Sequence, residues 1–256
     1  MDEEIGRRVL EQAFDLWFTP ELDRRVASGM IPHGFVVWGA QVILDLDRKQ
    51  PEVRINSEIR GVFQAKATRS IAAGEAVGLA DFDDILGMQL TGEDANAGHL
   101  TAVLHRDHWF LCFDFRYNAT RIEEQLASVD QFLAAGEFSV TNGHAIAAVD
   151  NLYDAVQIMA KSFLLMYPDP RVLEAKTHGF VETRFNLEGK LRNVPDYSVK
   201  LVNDLKELRP RTRYAAQPAE LPEAHLKEFL ASAKAMRAEI EARRPRRYAI
   251  GQGSRS

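Results

Sequence analysis

Apolar residues at the start of the chain recur at steps of three and four, which is the period of an amphipathic helix. This predicted first helix contains Ile5, Val9, Leu10, Phe14 and Trp17. The run from Thr19 to Glu21 then supplies a capping hydroxyl, a proline and an acid, as the first turn of a helix does. We therefore expect a new, short helix to begin at Thr19 and to stop at Gly29.

A different pattern follows, in which short runs of β-branched and aromatic residues are separated by turn residues. These runs predict strands at residues 35–44, 51–56, 58–67, 99–105 and 108–115. The stretch 71–85 is expected to be a turn-rich connector, or a short strand–turn–strand before a helical turn. Together the runs predict an antiparallel sheet of about four to six strands, one face of which the N-terminal helices cover.

The second half of the chain is helical in pattern. Asn118 is the expected N-cap of its first helix and Gly136 the expected end. The next helix, about residues 141–167, is apolar over most of its circumference and has one narrow polar stripe, formed by Asp150, Asp154, Gln157 and Lys161. Such a helix is either the central helix of a bundle or pairs with a second subunit. Further helices are predicted at residues 172–187, 196–209 and 222–243.

These patterns predict an α+β protein with two domains. An α+β domain with an antiparallel sheet and covering helices is expected over residues 1–116, and an all-α bundle of about five helices over residues 117–243. The basic, Gly/Ser-rich tail, residues 244–256, has a composition that predicts disorder.

The formal net charge of −5 is unevenly distributed, because residues 1–116 carry a net −7 and residues 117–256 a net +2. An acidic surface argues against non-specific duplex binding over the whole protein, but a local basic groove is compatible with the second half. Cys112 is the single cysteine, so neither an intrachain disulfide nor a cysteine-rich zinc site is possible. No apolar run is long enough to cross a bilayer and the N-terminus lacks the pattern of a signal peptide, so we expect a cytoplasmic protein that does not enter membranes.

Polar residues that could carry chemistry lie in three places in the helical half. They are Lys176 and His178, then Arg184 and Asn186, and finally the run that contains Arg209, Arg211, Arg213 and Tyr214. The segments AAVDNLYDAVQIMAKSFLL, EAKTHGF and KELRPRTRYAA, in that order, resemble one bacterial branch of the HEPN family. That branch has a long apolar second helix, a Lys-Thr-His segment that opens the next helix, and an E-L-R-x-x-A-x-Y run that ends the following one. The resemblance covers about half of the chain, and no family is identified for residues 1–117.

The resemblance implies a helical bundle, a homodimer and a metal-free, cofactor-free site that acts on RNA. HEPN ribonucleases share an Arg-x4–6-His motif, and two copies meet across a dimer. Arg209 matches the arginine of that motif, but Tyr214 follows five residues later in place of the histidine. Tyrosine, with a pKa of about 10, is a poor general base near neutral pH. His178 could supply an imidazole from the neighbouring helix, or the site could bind RNA or nucleotides without cutting them.

The candidate catalytic residues are therefore His178, Arg209 and Tyr214. The candidate anion- and nucleic-acid-binding residues are Lys176, Arg184, Asn186, Arg211 and Arg213. Each group also has a purely structural interpretation. His178 would bridge Glu174 and Glu182 at i−4 and i+4, and the arginine run would complement a helix dipole. Pro210 is expected to end or kink its helix and to turn the following arginines outward.

Three histidines in the first half, His99, His105 and His108, are close in sequence, but we do not expect them to share a metal. His105 and His108 are predicted to flank a hairpin turn, and His99 lies about 20 Å along the same strand. The functional prediction is a bacterial HEPN-type protein that binds or processes RNA or nucleotides, as in toxin–antitoxin or phage-defence systems. If it is an enzyme, it is a metal-independent ribonuclease. The alternative is a non-catalytic dimeric scaffold that binds a protein partner through a degenerate HEPN site.

Overall fold

The N-terminal helix continues past the expected break. In a computed structural model that describes residues 3–214 and 221–244, α1 (Glu3–Ala13) passes through a π-helical turn (Phe14–Phe18) directly into α2 (Thr19–Ala27). Thr19 has helical backbone angles, φ −61° and ψ −48°, so its prediction as an N-cap was wrong. Just before Pro20 the π-helical turn replaces the i→i+4 backbone hydrogen bonds of an α-helix by i→i+5 bonds. Pro20, which has no backbone N–H, is therefore accommodated without ending the helix.

The first of two structural units, which ends at Arg116, contains an antiparallel four-stranded sheet in the order β2-β1-β5-β6. Its strands are β1 (Gly39–Leu44), β2 (Glu52–Ile55), β5 (Gly98–His105) and β6 (His108–Asp114). Ala13 and Phe18 are buried against Ala40, Val42 and Leu100 of this sheet. The N-terminal helices thus cover one face of an antiparallel sheet, as predicted.

Two more strands form a separate antiparallel ribbon, β3 (Val62–Ala67) with β4 (Phe82–Gln89). Of the two predicted alternatives, the turn-rich connector holds for residues 71–81, which end in a 3-10 turn (Leu79–Asp81), but the prediction missed β4, a strand of eight residues that begins at Phe82. Asp83 and Asp84 near the start of β4 interrupt the alternation of apolar and polar residues by which a strand is recognised in a sequence. The pairing with β3 also shifts register twice, so the sequence period of two is broken.

The second unit, which begins at Tyr117, consists of helices. Its first helix, α3 (Ala119–Thr141), does not end at Gly136 as predicted. A Cβ atom at Gly136 would lie 3.2 Å from Leu152 Cδ2, so the glycine allows two helices to pack closely and does not cap a terminus. Asn118 occupies the predicted N-cap position, but its side chain makes no capping hydrogen bond. It adopts the left-handed conformation (φ 61°), and its Nδ2 donates to the Leu165 carbonyl at 2.8 Å.

Helix α4 (Ala145–Leu165) is the central helix of this bundle. It packs against α3 and four later helices, and no residue from Ala148 to Leu165 is exposed. Of the two interpretations of its apolar surface, the central position within one chain is therefore the correct one. Residues 148–165 of α4 are thus covered within the chain, whereas Ile146 near its start is exposed.

The remaining helices are α5 (Pro170–Glu174), α6 (His178–Lys190), α7 (Asp196–Tyr214) and α8 (Glu223–Arg243). The helix expected at residues 172–187 is two helices, separated at 175–177. Pro210 lies inside α7, so of the two predicted outcomes, an end or a kink of the helix, the end is wrong. A proline removes one backbone hydrogen bond, and contacts of the flanking arginines with α4 hold this turn in place. Within the described ranges no helix is long and apolar enough to cross a membrane. The predicted tail from residue 245 onward lies outside the described residues.

Candidate functional site

The polar stripe of α4 faces two other helices and carries the centre of the candidate site. Asp150 binds two arginines of α7, with Arg209 Nε at 3.1 Å from Oδ1 and Arg213 Nε at 2.7 Å from Oδ2. Asp154 lies 3.5 Å from a second nitrogen of Arg209. One half-buried carboxylate therefore holds two guanidinium groups beside each other at the end of α7.

Tyr153 connects this ion-pair cluster to the start of α6. The guanidinium carbon of Arg209 lies 4.4 Å from the centre of the Tyr153 ring, within cation–π distance. The ring centre of His178 is 5.6 Å from that of Tyr153. Burial, together with the negative charge of Glu182, raises the pKa of the Tyr153 hydroxyl, so this phenol stays neutral at physiological pH. The aromatic ring thus contacts both the imidazole and the guanidinium, and all three side chains line the same cleft.

Glu182 is a buried carboxylate on α6 that has three partners. It accepts hydrogen bonds from Gln157 Nε2 at 2.9 Å and from the Tyr153 hydroxyl at 3.3 Å, and it pairs with Lys206 Nζ at 2.6 Å. It is therefore fully used in joining α4, α6 and α7. The structural interpretation in which His178 bridges Glu174 and Glu182 is wrong, because among the described residues His178 makes no hydrogen bond or ion pair with either.

A cleft of about 490 Å³ lies between α4, α6 and α7, and we call it the arginine groove. It is lined by Tyr153, His178, Gly179, Glu182, Lys206, Arg209, Pro210 and Arg213. Three residues predicted from the sequence, namely His178, Arg209 and Arg213, are thus brought together. The side chain of Tyr214 lies outside the described part of the chain, so its predicted role stays a prediction.

A second cleft, of about 300 Å³, begins on the other side of His178, and we call it the lysine cleft. It is lined by Gln125, Ser128, Gln157, Ile158, Lys161, Ala175, Lys176, Thr177, His178 and Val181. Lys176 was predicted as an anion-binding residue, whereas Gln157, Lys161 and Lys206 were not predicted as site residues. The polar stripe of α4 was a signal for the first two. For Lys206 the sequence carries no comparable signal.

The other predicted binding residues lie away from both clefts. Arg184 is 3.4 Å from Asp169, and Asn186 exchanges side-chain hydrogen bonds with Asn203 at 2.8 and 3.2 Å. Arg211 is exposed and lines neither cleft. Their predicted roles in anion or nucleic-acid binding stay predictions, because the helical period turns each residue to another face of its helix than the one that lines a cleft.

The histidines of the first unit are held separately. His99 is buried with Nδ1 3.1 Å from Thr101 Oγ1, and burial lowers its pKa from 6.5 to about 4. His105 pairs across the hairpin with His108, as predicted, and its Nε2 is 2.9 Å from the Phe82 carbonyl. The described ranges contain no group of three or more His, Cys, Asp or Glu that could hold a metal ion.

A scan against protein-family models and a search of curated proteins found no match to this chain. The chemistry of the two clefts is therefore what indicates a function.

Proposed function

We propose that the helical unit binds single-stranded RNA through the arginine groove. The observation that supports this proposal is the convergence of Lys206, Arg209 and Arg213 with His178 on one cleft. Three of its eight lining residues are cations and one is an acid, although the chain as a whole carries a formal charge of −5. A local concentration of guanidinium and ammonium groups on an acidic protein fits a ligand with repeated negative charges, and the RNA backbone is one.

The geometry of Arg209 suits a nucleic acid more than an isolated anion. Its guanidinium lies against the Tyr153 ring, next to the imidazole of His178. Flat cationic and aromatic groups stack on nucleobases irrespective of their identity, while the charges around them contact phosphates. The groove therefore combines the two kinds of contact that single-stranded RNA requires.

Cleavage of RNA is a separate step that needs more groups than binding does. Transfer of a proton from a ribose 2′-hydroxyl and to the leaving oxygen requires suitably placed acids and bases. His178 is the one imidazole among the lining residues of the arginine groove, and Arg209 is placed to neutralise charge that develops on phosphorus. Binding is accordingly the function we propose, and metal-free cleavage is an outcome to be tested with it.

A non-catalytic scaffold is the second candidate, and the contacts of Asp150 favour it. Both groove arginines are held by this carboxylate at 3.1 and 2.7 Å, so they connect α7 to α4 whether or not a ligand is present. In this alternative the ion pairs serve only the packing of the bundle, and a protein partner binds elsewhere on it. A homodimer also stays a prediction.

Fluorescence anisotropy with a labelled single-stranded RNA at about 50 mM salt tests the proposal. Arg213→Ala is expected to weaken binding several-fold and to reduce the slope of log affinity against log salt by about 0.7, the value for one lost phosphate contact on a single strand. Arg211→Ala is the matched control, because this residue lies on the same helical turn but outside the groove. Equal losses in the two variants, or no RNA binding by the wild type, would leave the scaffold as the better candidate.

The same RNA incubated with wild type and with His178→Ala in the presence of EDTA tests cleavage. Products that appear with the wild type and disappear with His178→Ala would add a ribonuclease activity to the proposed binding. Intact RNA in both samples, with retained binding, would identify a binding module.

A further inference from the structure

The lysine cleft contains a buried hydrogen-bond acceptor that has no partner. Gln157 is 3% exposed and lies in the wall of the cleft, and its Oε1 makes no hydrogen bond within the described part of the chain. The other end of the amide is fixed, because Nε2 donates to Glu182 at 2.9 Å. Reversal of the amide would set its oxygen against the carboxylate, so the orientation is determined. Buried polar atoms rarely lack a partner, so this acceptor in the cleft wall is open to a donor from a ligand or a water.

The rest of the cleft attracts anions. Lys161 and Lys176 line it, and none of its lining residues is acidic. Lys161 Nζ donates to the Ala175 carbonyl at 3.0 Å, which holds the ammonium group at the wall and leaves two of its three N–H groups for other acceptors. The nearest buried carboxylate, Glu182, is already paired with Lys206 at 2.6 Å. The cleft is therefore positively charged, unlike the surface as a whole.

The first turn of α6 adds backbone donors on the same side. The helix has 13 residues and starts at His178, and its N-cap Thr177 makes no side-chain capping hydrogen bond. The first N–H groups of a helix have no partner within it, and they carry the positive end of the helix dipole. Lys176, Thr177 and His178 all line the cleft, so this helix end borders the same space as the two ammonium groups.

We propose that the lysine cleft binds a phosphate monoester that is attached to a sugar, with the phosphate at Lys161, Lys176 and the start of α6. A hydroxyl or amino group of the same ligand donates to Gln157 Oε1. A volume of about 300 Å³ has room for a phosphate together with a sugar. Two sources supply this chemistry, a free nucleotide and the phosphorylated end of an RNA chain. The site is independent of the arginine groove, with which it shares only His178.

Calorimetric titration of the full chain with uridine 5′-monophosphate, uridine and inorganic phosphate tests the chemical class. The monophosphate is expected to bind at least tenfold more tightly than uridine, because uridine lacks the charge that the lysines recognise. It is also expected to bind more tightly than inorganic phosphate, which cannot place a sugar hydroxyl at Gln157. Equal affinity for uridine and its monophosphate, or no detectable binding of the monophosphate, would overturn the proposal. Equal affinity for inorganic phosphate and the monophosphate would overturn the role of Gln157.

Substitutions then locate the site. Lys176→Ala is expected to weaken the binding of uridine 5′-monophosphate at least fivefold. Because this exposed lysine has no partner among the described residues, its loss leaves the fold intact. Lys190→Ala, at the exposed far end of the same helix, is the matched control and should bind as the wild type does. A decrease of the same size in both variants would contradict the assignment.

Two RNA oligomers, one with a 5′-phosphate and one with a 5′-hydroxyl, distinguish the sources. If an RNA end is the ligand, the phosphorylated oligomer binds more tightly and Lys176→Ala removes the difference, whereas Arg213→Ala weakens both oligomers alike. If only the free nucleotide binds, the two oligomers have equal affinities, and the titration with the monophosphate still depends on Lys176. If the arginine groove binds no RNA, the titration with the monophosphate is still expected to show binding. The two proposals can therefore be refuted separately.

Discussion

The stability of the first unit is expected to depend on pH through one buried histidine. His99 lies on β5, is 2% exposed, and contacts Thr101 through Nδ1. Burial lowers its pKa to about 4 in spite of the negative charge of Asp114, which acts in the opposite direction. In the unfolded chain the same imidazole has a pKa of about 6.5. The unfolded state therefore binds a proton between these values while the folded state does not.

The direction and size of the effect follow from this difference. The stabilisation from neutral His99 is complete above the unfolded pKa and is lost as the pH falls from 6.5 toward 4. A shift from 6.5 to about 4 corresponds to a loss of about 2 kcal/mol at pH 5 and of about 3 kcal/mol at pH 4. That is a large share of the stability of an ordinary domain.

Urea denaturation at pH 7, 6 and 5 measures the effect in the full chain. The three tryptophans, Trp17, Trp38 and Trp109, all belong to the first unit, so their fluorescence reports the unfolding of that unit specifically. Between pH 7 and pH 5 the free energy of unfolding of the wild type should fall by about 2 kcal/mol more than that of His99→Gln does. His33→Gln, which replaces an exposed histidine of the same unit, should behave as the wild type. Parallel losses in the wild type and His99→Gln would refute the assignment of the pH dependence to this residue.

Two further predictions concern the helical unit. Gly136→Ala is expected to be less stable than Gly179→Ala by about 1 kcal/mol, measured by urea denaturation followed by far-UV circular dichroism, since the added methyl group meets Leu152 at 3.2 Å and this contact offsets the higher helix propensity of alanine. Gly179→Ala, with no atom within 4 Å of the new Cβ, is the matched control and should be neutral or slightly stabilising. Asp150→Asn should destabilise this unit by about 1–2 kcal/mol because it weakens two ion pairs, yet it should tighten RNA binding because it removes a competing negative charge. Weaker RNA binding by Asp150→Asn, measured by anisotropy, would contradict that reasoning.

The sequence was sufficient for the fold class because the periods of two and of about 3.6 residues are both clear in it. It was insufficient where a residue's role depends on a distant neighbour. Glycine usually ends a helix, but Gly136 is explained by Leu152 on another helix. Pro210 usually disrupts a helix, but here it lies between two arginines that an aspartate on α4 holds in place. No local pattern contains these partners.

The candidate site, too, depends on contacts between residues that are distant in the sequence. The stripe formed by Asp150, Asp154, Gln157 and Lys161 was visible in the sequence, and its polarity alone is what solvent exposure would also produce. Its meaning comes from side chains that lie about 60 residues away along the chain, since Arg209 and Arg213 are separated from Asp150 by 59 and 63 positions. A polar stripe on the central helix of a bundle is not solvated unless a cleft reaches it. Here two clefts with cationic walls reach it, and both proposed binding sites rest on that observation.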